Sequence, residues 1–101
     1  MTFLGIDIGT SGVKVLLIDE DGVAIGEATA AAVEPNRPYP GWSEQNPQDW
    51  WAATLAAIDA LHASHPKALS AVKGIGLSGH MHGATLLGEN DAVLRPCILW
   101  N

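Results

Sequence analysis

Two apolar runs joined through Gly9-Thr10-Ser11-Gly12 constrain this chain more than any other stretch. Phe3 to Ile8 is apolar apart from Gly5 and Asp7, and Val13-Lys14-Val15-Leu16-Leu17-Ile18 is rich in branched apolar residues. Both read as strands, and so short a connection joins them as an antiparallel hairpin. Gly9 and Gly12 are expected to take positive φ, which lets successive backbone N–H groups converge on an anion, while Thr10 and Ser11 add hydroxyl donors. The turn therefore reads as a concave nest for phosphate oxygens.

Asp7 sets a condition on that reading, because a carboxylate repels phosphate unless a divalent cation or its bound water stands between them. Mg²⁺ meets the condition, since it prefers one or two carboxylates together with water and substrate phosphates. The competing reading is an ordinary tight hairpin whose Asp and Ser satisfy turn N–H groups, and the bare Asp-x-Gly-Thr pattern leaves both open. A Gly-x-x-x-x-Gly-Lys-Ser/Thr loop is absent, and the turn leads into a strand instead of a helix.

Composition narrows the partners. The net charge is −6, with Lys14, Lys67, Lys73, Arg37 and Arg95 as the fixed cations, which argues against nucleic acid or an anionic membrane. No run approaches the ~18 apolar residues of a membrane span, and Met1-Thr2-Phe3-Leu4 lacks the basic region and long apolar core of a secretory signal. Cys97 is the one cysteine, so no intrachain disulfide forms and a cytoplasmic location is expected. Pro96 to Asn101 is an apolar, strand-like run at the end of the sequence, and the 101 residues are expected to be the N-terminal segment of something larger.

Asp19-Glu20-Asp21-Gly22 supplies a turn, and Val23 to Ala32 reads as a third strand. Pro35 to Gly41 breaks regularity, with Trp42 the candidate pin for that loop. Asn46-Pro47-Gln48-Asp49 is a helix start, combining an N-cap side chain, proline in the first turn and an acidic residue at the positive end. Trp51, Leu55, Ile58 and His62 follow at helical spacing, with Trp50, Thr54 and Leu61 beside them, and predict one buried face with both tryptophans in the core. Ser64-His65-Pro66 ends the helix.

Val72 to Ser78 reads as a buried strand, Gly79 to Gly83 as a tight loop and Ala84 to Leu87 as a further strand, turning at Glu89-Asn90-Asp91. Strand, strand, strand, helix, strand, with Asp at the end of the first strand, is the plan of a ribonuclease H-like ATPase half of the actin-like type. Gly74-Ile75-Gly76-Leu77-Ser78-Gly79 fits a dinucleotide fingerprint in letters only: its glycines fall within a strand and no helix opens at Gly79. Close backbone packing is the expected reason for these glycines.

Gly79-His80-Met81-His82-Gly83 is the second chemical constellation, at a strand end where α/β sheets expose ligand-contacting groups. His80 and His82 could share a metal, although no partner follows at ligand spacing; they could be polar loop residues; or His82 could exchange hydrogen bonds with sugar hydroxyls while Met81 covers an apolar sugar face.

The chain resembles the FGGY family of sugar kinases along essentially its whole length. The matching segments are Asp7-Ile8-Gly9-Thr10-Ser11-Gly12-Val13-Lys14, Trp42-Ser43-Glu44-Gln45-Asn46-Pro47, Trp50-Trp51, Met81-His82-Gly83-Ala84-Thr85 and Leu94-Arg95-Pro96 to Leu99-Trp100-Asn101. The first indicates only the actin-like ATPase superfamily. Met81-His82-Gly83 narrows the resemblance to members that use D-xylulose, because glycerol-using relatives carry an Arg-Glu pair in that loop. The resemblance implies an α/β, ribonuclease H-like (actin-like ATPase) fold, the chain forming the N-terminal part of the first of two such domains.

It also implies a reaction, transfer of the γ-phosphoryl group of ATP to the 5-hydroxyl of D-xylulose. Asp7 would be the catalytic and Mg²⁺-binding carboxylate; Gly9, Thr10, Ser11 and Lys14 would hold the nucleotide phosphates; Met81 and His82 would contact the ketopentose. A further Asp acting as general base, and the domain that holds adenine, would lie downstream, leaving this segment inactive alone. Many relatives carry Gln where this chain has His80, and no role is carried to that position. A homodimer is compatible with the resemblance. The rivals are a non-kinase actin-like or chaperone-type ATPase module, a His-based metal-binding module, and a kinase for another pentulose or polyol.

Overall fold

A computed structural model describes residues 1–100 and shows a four-stranded sheet with one long helix across one face. β1 (Thr2–Ile8), β2 (Gly12–Asp19) and β3 (Ala24–Ala31) form an antiparallel meander. β4 (Glu44–Gln45) precedes α1 (Pro47–Ser64) and α2 (Pro66–Ser70), after which β5 (Val72–Gly79) returns parallel to β1. The sheet order is β3-β2-β1-β5, and the two helices supply the crossover that a parallel pair requires. β6 (Cys97–Ile98) pairs with β4 in a separate two-stranded sheet.

The core follows from the period-two alternation of β1 and β2. Leu4 faces Leu17 and Ile6 faces Val15 across the pair, and Val13, Val15 and Leu17 are essentially inaccessible to solvent. Ala53, Ala57 and Leu61 of α1 close over them. The small alanines let the helix approach the sheet, and Leu61 fills the space that remains.

This helix face matches the expected one at Thr54 and Leu61 and departs from it elsewhere. Trp51 is 60% exposed, Leu55 and His62 are also exposed and Ile58 is half-buried, whereas Ala53, Thr54, Ala57 and Leu61 are buried and Trp50 is half-buried. Bulk pointed to the wrong stripe: the buried line is rotated by about one residue because close helix–sheet approach selects alanine. The helix start is as expected, with Asn46 accepting from the Gln48 N–H at 3.0 Å and proline in the first turn.

β5 is also more open than its apolar sequence suggests. It is an edge strand, α1 lies over β2 and β3, and Ile75 and Leu77 are 60% and 76% exposed. Ala84 to Leu87 forms no strand; Ala84 and Leu87 make isolated bridges to Ile98 and Val93. Trp42 does hold the proline-rich loop, packing edge-on to Tyr39 at 4.8 Å beneath the Arg95 guanidinium, which ion-pairs with Glu44. Among the described residues no helix is long and apolar enough to cross a membrane. Asn101, the last residue of the final matching segment, lies outside the described residues.

Candidate functional site

The carboxyl ends of β1 and β5 lie side by side, with Asp7 in register with Ser78 and Ile8 with Gly79. In open α/β sheets ligands bind beyond the carboxyl ends of parallel strands, and both chemical constellations lie at this edge. Asp7 is exposed, and its Oδ1 accepts a hydrogen bond from Ser78 Oγ at 2.9 Å. That bond ties the β1 carboxylate to the strand that leads into the histidine loop.

Asp7, Gly9, Ser11, Gly12, Val13 and Lys14 line a cleft of about 380 Å³ together with β3 residues of the 29–31 segment. The hairpin closes with the Gly9 N–H donating to the Gly12 carbonyl at 2.8 Å. Its glycines are required for a different reason from the expected one. Neither Gly9 nor Gly12 has positive φ; instead a Cβ on Gly12 would stand 2.7 Å from the Ala30 carbonyl oxygen, and one on Gly9 3.3 Å from the Gly12 oxygen. Close strand approach, not left-handed backbone, excludes side chains there.

Two of the phosphate-side residues are oriented otherwise than a simple nest would have them. Thr10 is half-buried and absent from the lining of that cleft, its carbonyl accepting from Gln45 Nε2 at 3.0 Å. Lys14 lines the cleft, but its ammonium pairs with Glu27 at 3.1 Å. Both partners of that pair are more than half exposed, so it holds the lysine only weakly.

The histidine loop borders a second cleft of about 300 Å³, lined by Ile8, Trp50, Ser78, His80, His82 and Cys97 among others. His82 is exposed and left-handed, with φ 64°. His80 is half-buried, its ring edge-on to the Trp50 indole at 5.0 Å. Met81 is 67% exposed and does not line this cleft. The glycines of the β5 run behave unequally: a Cβ on Gly79 would lie 2.7 Å from the Ile8 oxygen, whereas one on Gly76 would meet nothing within 4 Å.

The donor set at the turn suits Mg²⁺ bound to phosphate, because one exposed carboxylate at the rim of a cleft bordered by Ser11, Thr29 and two glycines leaves most of the shell to water and phosphate oxygens. Among the described residues no group of three or more His, Cys, Asp or Glu side chains is placed to hold a metal by protein ligands alone. Ser78 and Gln45 are site-bordering residues to which sequence reasoning gave no role, and Trp50, expected in the core, borders the site as well. Ser78 was findable in principle, since a parallel partner for β1 puts a hydroxyl opposite Asp7.

Solved structures share this architecture: a xylulose kinase from Rhodospirillum rubrum superposes with a TM-score of 0.88 at 28% identity, over 97% of this chain and 20% of that one. The fold is therefore of the actin-like, ribonuclease H-like ATPase type. The model of the FGGY family of carbohydrate kinases, N-terminal domain, matches residues 2–101, and the chain belongs to that family.

A structure described as a xyloylose kinase from Brucella ovis is 59% identical with a TM-score of 0.97, over all of this chain and 21% of that one. The xylulose kinase of Escherichia coli is 50% identical over 99 residues, which are 98% of this chain and 20% of that protein. The chain thus spans about one fifth of the length of the relatives it matches.

Proposed function

We propose that this chain supplies the phosphate turn and part of the sugar site of an ATP-dependent kinase that phosphorylates D-xylulose on its 5-hydroxyl. The observation that carries the reading is the junction of β1 and β5, where the Asp7–Ser78 hydrogen bond joins the cleft at the Gly9–Gly12 turn to the strand that leads into the loop bearing His82. Similarity to xylulose kinases over nearly the whole chain supports the choice of sugar.

In this reading Ser11 and Gly12 present hydroxyl and backbone groups to the nucleotide phosphates, while Gly9 closes the turn through its N–H and Thr10 shapes it through its carbonyl. Lys14 exchanges Glu27 for a phosphate oxygen, a small change because the surface pair is weak. Asp7 would hold Mg²⁺, which supplies charge neutralisation at the transferring phosphoryl group. His82 orients sugar hydroxyls by hydrogen bonding, and Met81 covers an apolar sugar face when the pentulose is bound. Phosphoryl transfer needs alignment and electrostatic stabilisation more than covalent participation, which fits a site built of turns and short polar side chains.

The base that takes the proton of the sugar hydroxyl and the groups that hold adenine are proposed to belong to chain beyond these 101 residues. A cytoplasmic location is part of the proposal, in keeping with a single, buried, free cysteine.

The test is ADP release by the complete protein with Mg-ATP and, separately, D-xylulose, L-ribulose, D-ribulose, glycerol or no sugar. Turnover strongest with D-xylulose is expected. Turnover that is equal with and without sugar would replace the kinase with a non-kinase ATPase of the same fold.

A further inference from the structure

Gln45 is buried, with 6% of its surface exposed, and three of its side-chain hydrogen-bonding positions are used by three separate parts of the chain. Its Nε2 donates to the Thr10 carbonyl at 3.0 Å, inside the phosphate turn, and to the Val33 carbonyl at 3.0 Å, beyond β3. Its Oε1 accepts from the Trp50 indole Nε1 at 2.9 Å. Trp50 in turn meets the His80 ring edge-to-face at 5.0 Å, and the His80 N–H donates to the Ile8 carbonyl at 2.9 Å.

We infer that Gln45 is a positioning residue that sets the phosphate turn and the sugar loop in one register, through Thr10 on one side and the Trp50–His80 pair on the other. The inference rests on the proposed kinase reading for its sugar side only; its nucleotide side needs nothing beyond a phosphate-binding turn.

The chemistry of the amide makes the assignment specific. Two carbonyl oxygens converge on Nε2, so the group there must carry two N–H donors, while the indole N–H requires an acceptor at the other terminus. Glutamate has the same shape and keeps the acceptor, but it sets a carboxylate oxygen against two carbonyls. Methionine has similar length and supplies neither donor. A Trp50→Phe change removes the indole donor while leaving the two bonds from Gln45 to the turn side available. The two arms of the relay can therefore be cut separately.

The experiment uses the complete protein and its Gln45→Glu, Gln45→Met and Trp50→Phe variants. Mg-ATP affinity is measured by calorimetry, and KM and kcat are measured for ATP and D-xylulose. For Gln45→Glu and Gln45→Met the Kd for Mg-ATP is expected to rise about tenfold, the factor for losing a buried hydrogen bond and stranding its partner. For Trp50→Phe the KM for sugar is expected to rise about threefold to tenfold with Mg-ATP affinity unchanged, as one neutral hydrogen bond is lost.

A purely structural role would lower the fraction of active protein, reducing apparent kcat without moving Kd or KM. That pattern, or equal shifts for both ligands in all three variants, overturns the inference. If a glutamine variant is poorly folded, Trp50→Phe with the selective sugar effect still supports the relay, and without it the relay fails. If the wild type turns over ATP without sugar, the kinase reading fails separately, and the calorimetric comparison of wild type with the Gln45 variants still decides whether Gln45 sets the turn.

Discussion

The Gly9–Gly12 turn and the histidine loop leave neighbouring strands at the same end of the sheet, but they are held in different ways. The turn is fixed by its backbone: Gly9 bonds Gly12, the Ser11 carbonyl accepts from Ala32, and the Thr10 carbonyl accepts from buried Gln45. The histidine loop is anchored at its margins, where His80 bonds Ile8 and Ala84 exchanges two hydrogen bonds with Ile98. Between those anchors Met81 and His82 are exposed, with His82 left-handed. Phosphate groups are alike in every nucleotide, so a rigid cradle suits them; choice among sugars needs side chains directed at particular hydroxyls.

The largest test of this contrast is Asp7→Ala in the complete protein. Among the described residues Asp7 is the one acidic side chain lining the cleft at the turn, so its loss is expected to lower kcat by about 10² to 10³, or roughly 3 to 4 kcal/mol of transition-state stabilisation. Steady-state kinetics with saturating sugar measures it, and a decrease below threefold removes Asp7 from the mechanism. Calorimetric unfolding should change little, because the carboxylate is exposed.

Gly12→Ala tests the backbone half of the comparison. The added methyl would stand 2.7 Å from a main-chain oxygen of β3, so the strand pair must separate, at a cost of about 1 to 3 kcal/mol. The same substitution at Gly76, where nothing lies within 4 Å, is expected to change stability by less than about 0.5 kcal/mol. Thermal melts of the two variants compare them directly. Equal melts would show that the turn tolerates strand separation and is not fixed by backbone contact.

How much of this was legible in the sequence depends on whether a feature is local. The hairpin, the third strand and the helix start at Asn46 are written in alternation, turn chemistry and caps, and each appears where those signals put it. Features set by distant partners were misread. Trp51 and Leu55 looked like core by bulk, yet the sheet selected Ala53 and Ala57 at the contact. Gly12 looked like a conformational glycine, yet Ala30 on another strand is what excludes its side chain. Val72 to Ser78 looked buried because its composition is apolar, whereas its exposure follows from sheet order and helix placement. Gln45 carried no local signal, because its meaning lies in Thr10 and Val33, which are distant in sequence.

The smallest expected effect is the most discriminating for the loop. His82→Ala removes the imidazole and keeps the β-carbon that histidine itself carries at φ 64°, a conformation that costs a non-glycine residue about 1 to 2 kcal/mol. His82→Gly removes the same imidazole without that strain, and His82→Asn keeps a hydrogen-bonding side chain that tolerates left-handed backbone. If the side chain engages sugar hydroxyls, Ala and Gly should both raise the KM for D-xylulose by about tenfold, Asn should recover part of it, and the affinity for Mg-ATP should stay within about twofold throughout. If Ala and Gly are instead both as efficient with D-xylulose as the wild type, the imidazole takes no part in sugar binding and the position matters for loop shape alone. The loop would then resemble the turn, a site set by backbone, and the contrast between the two regions would fall.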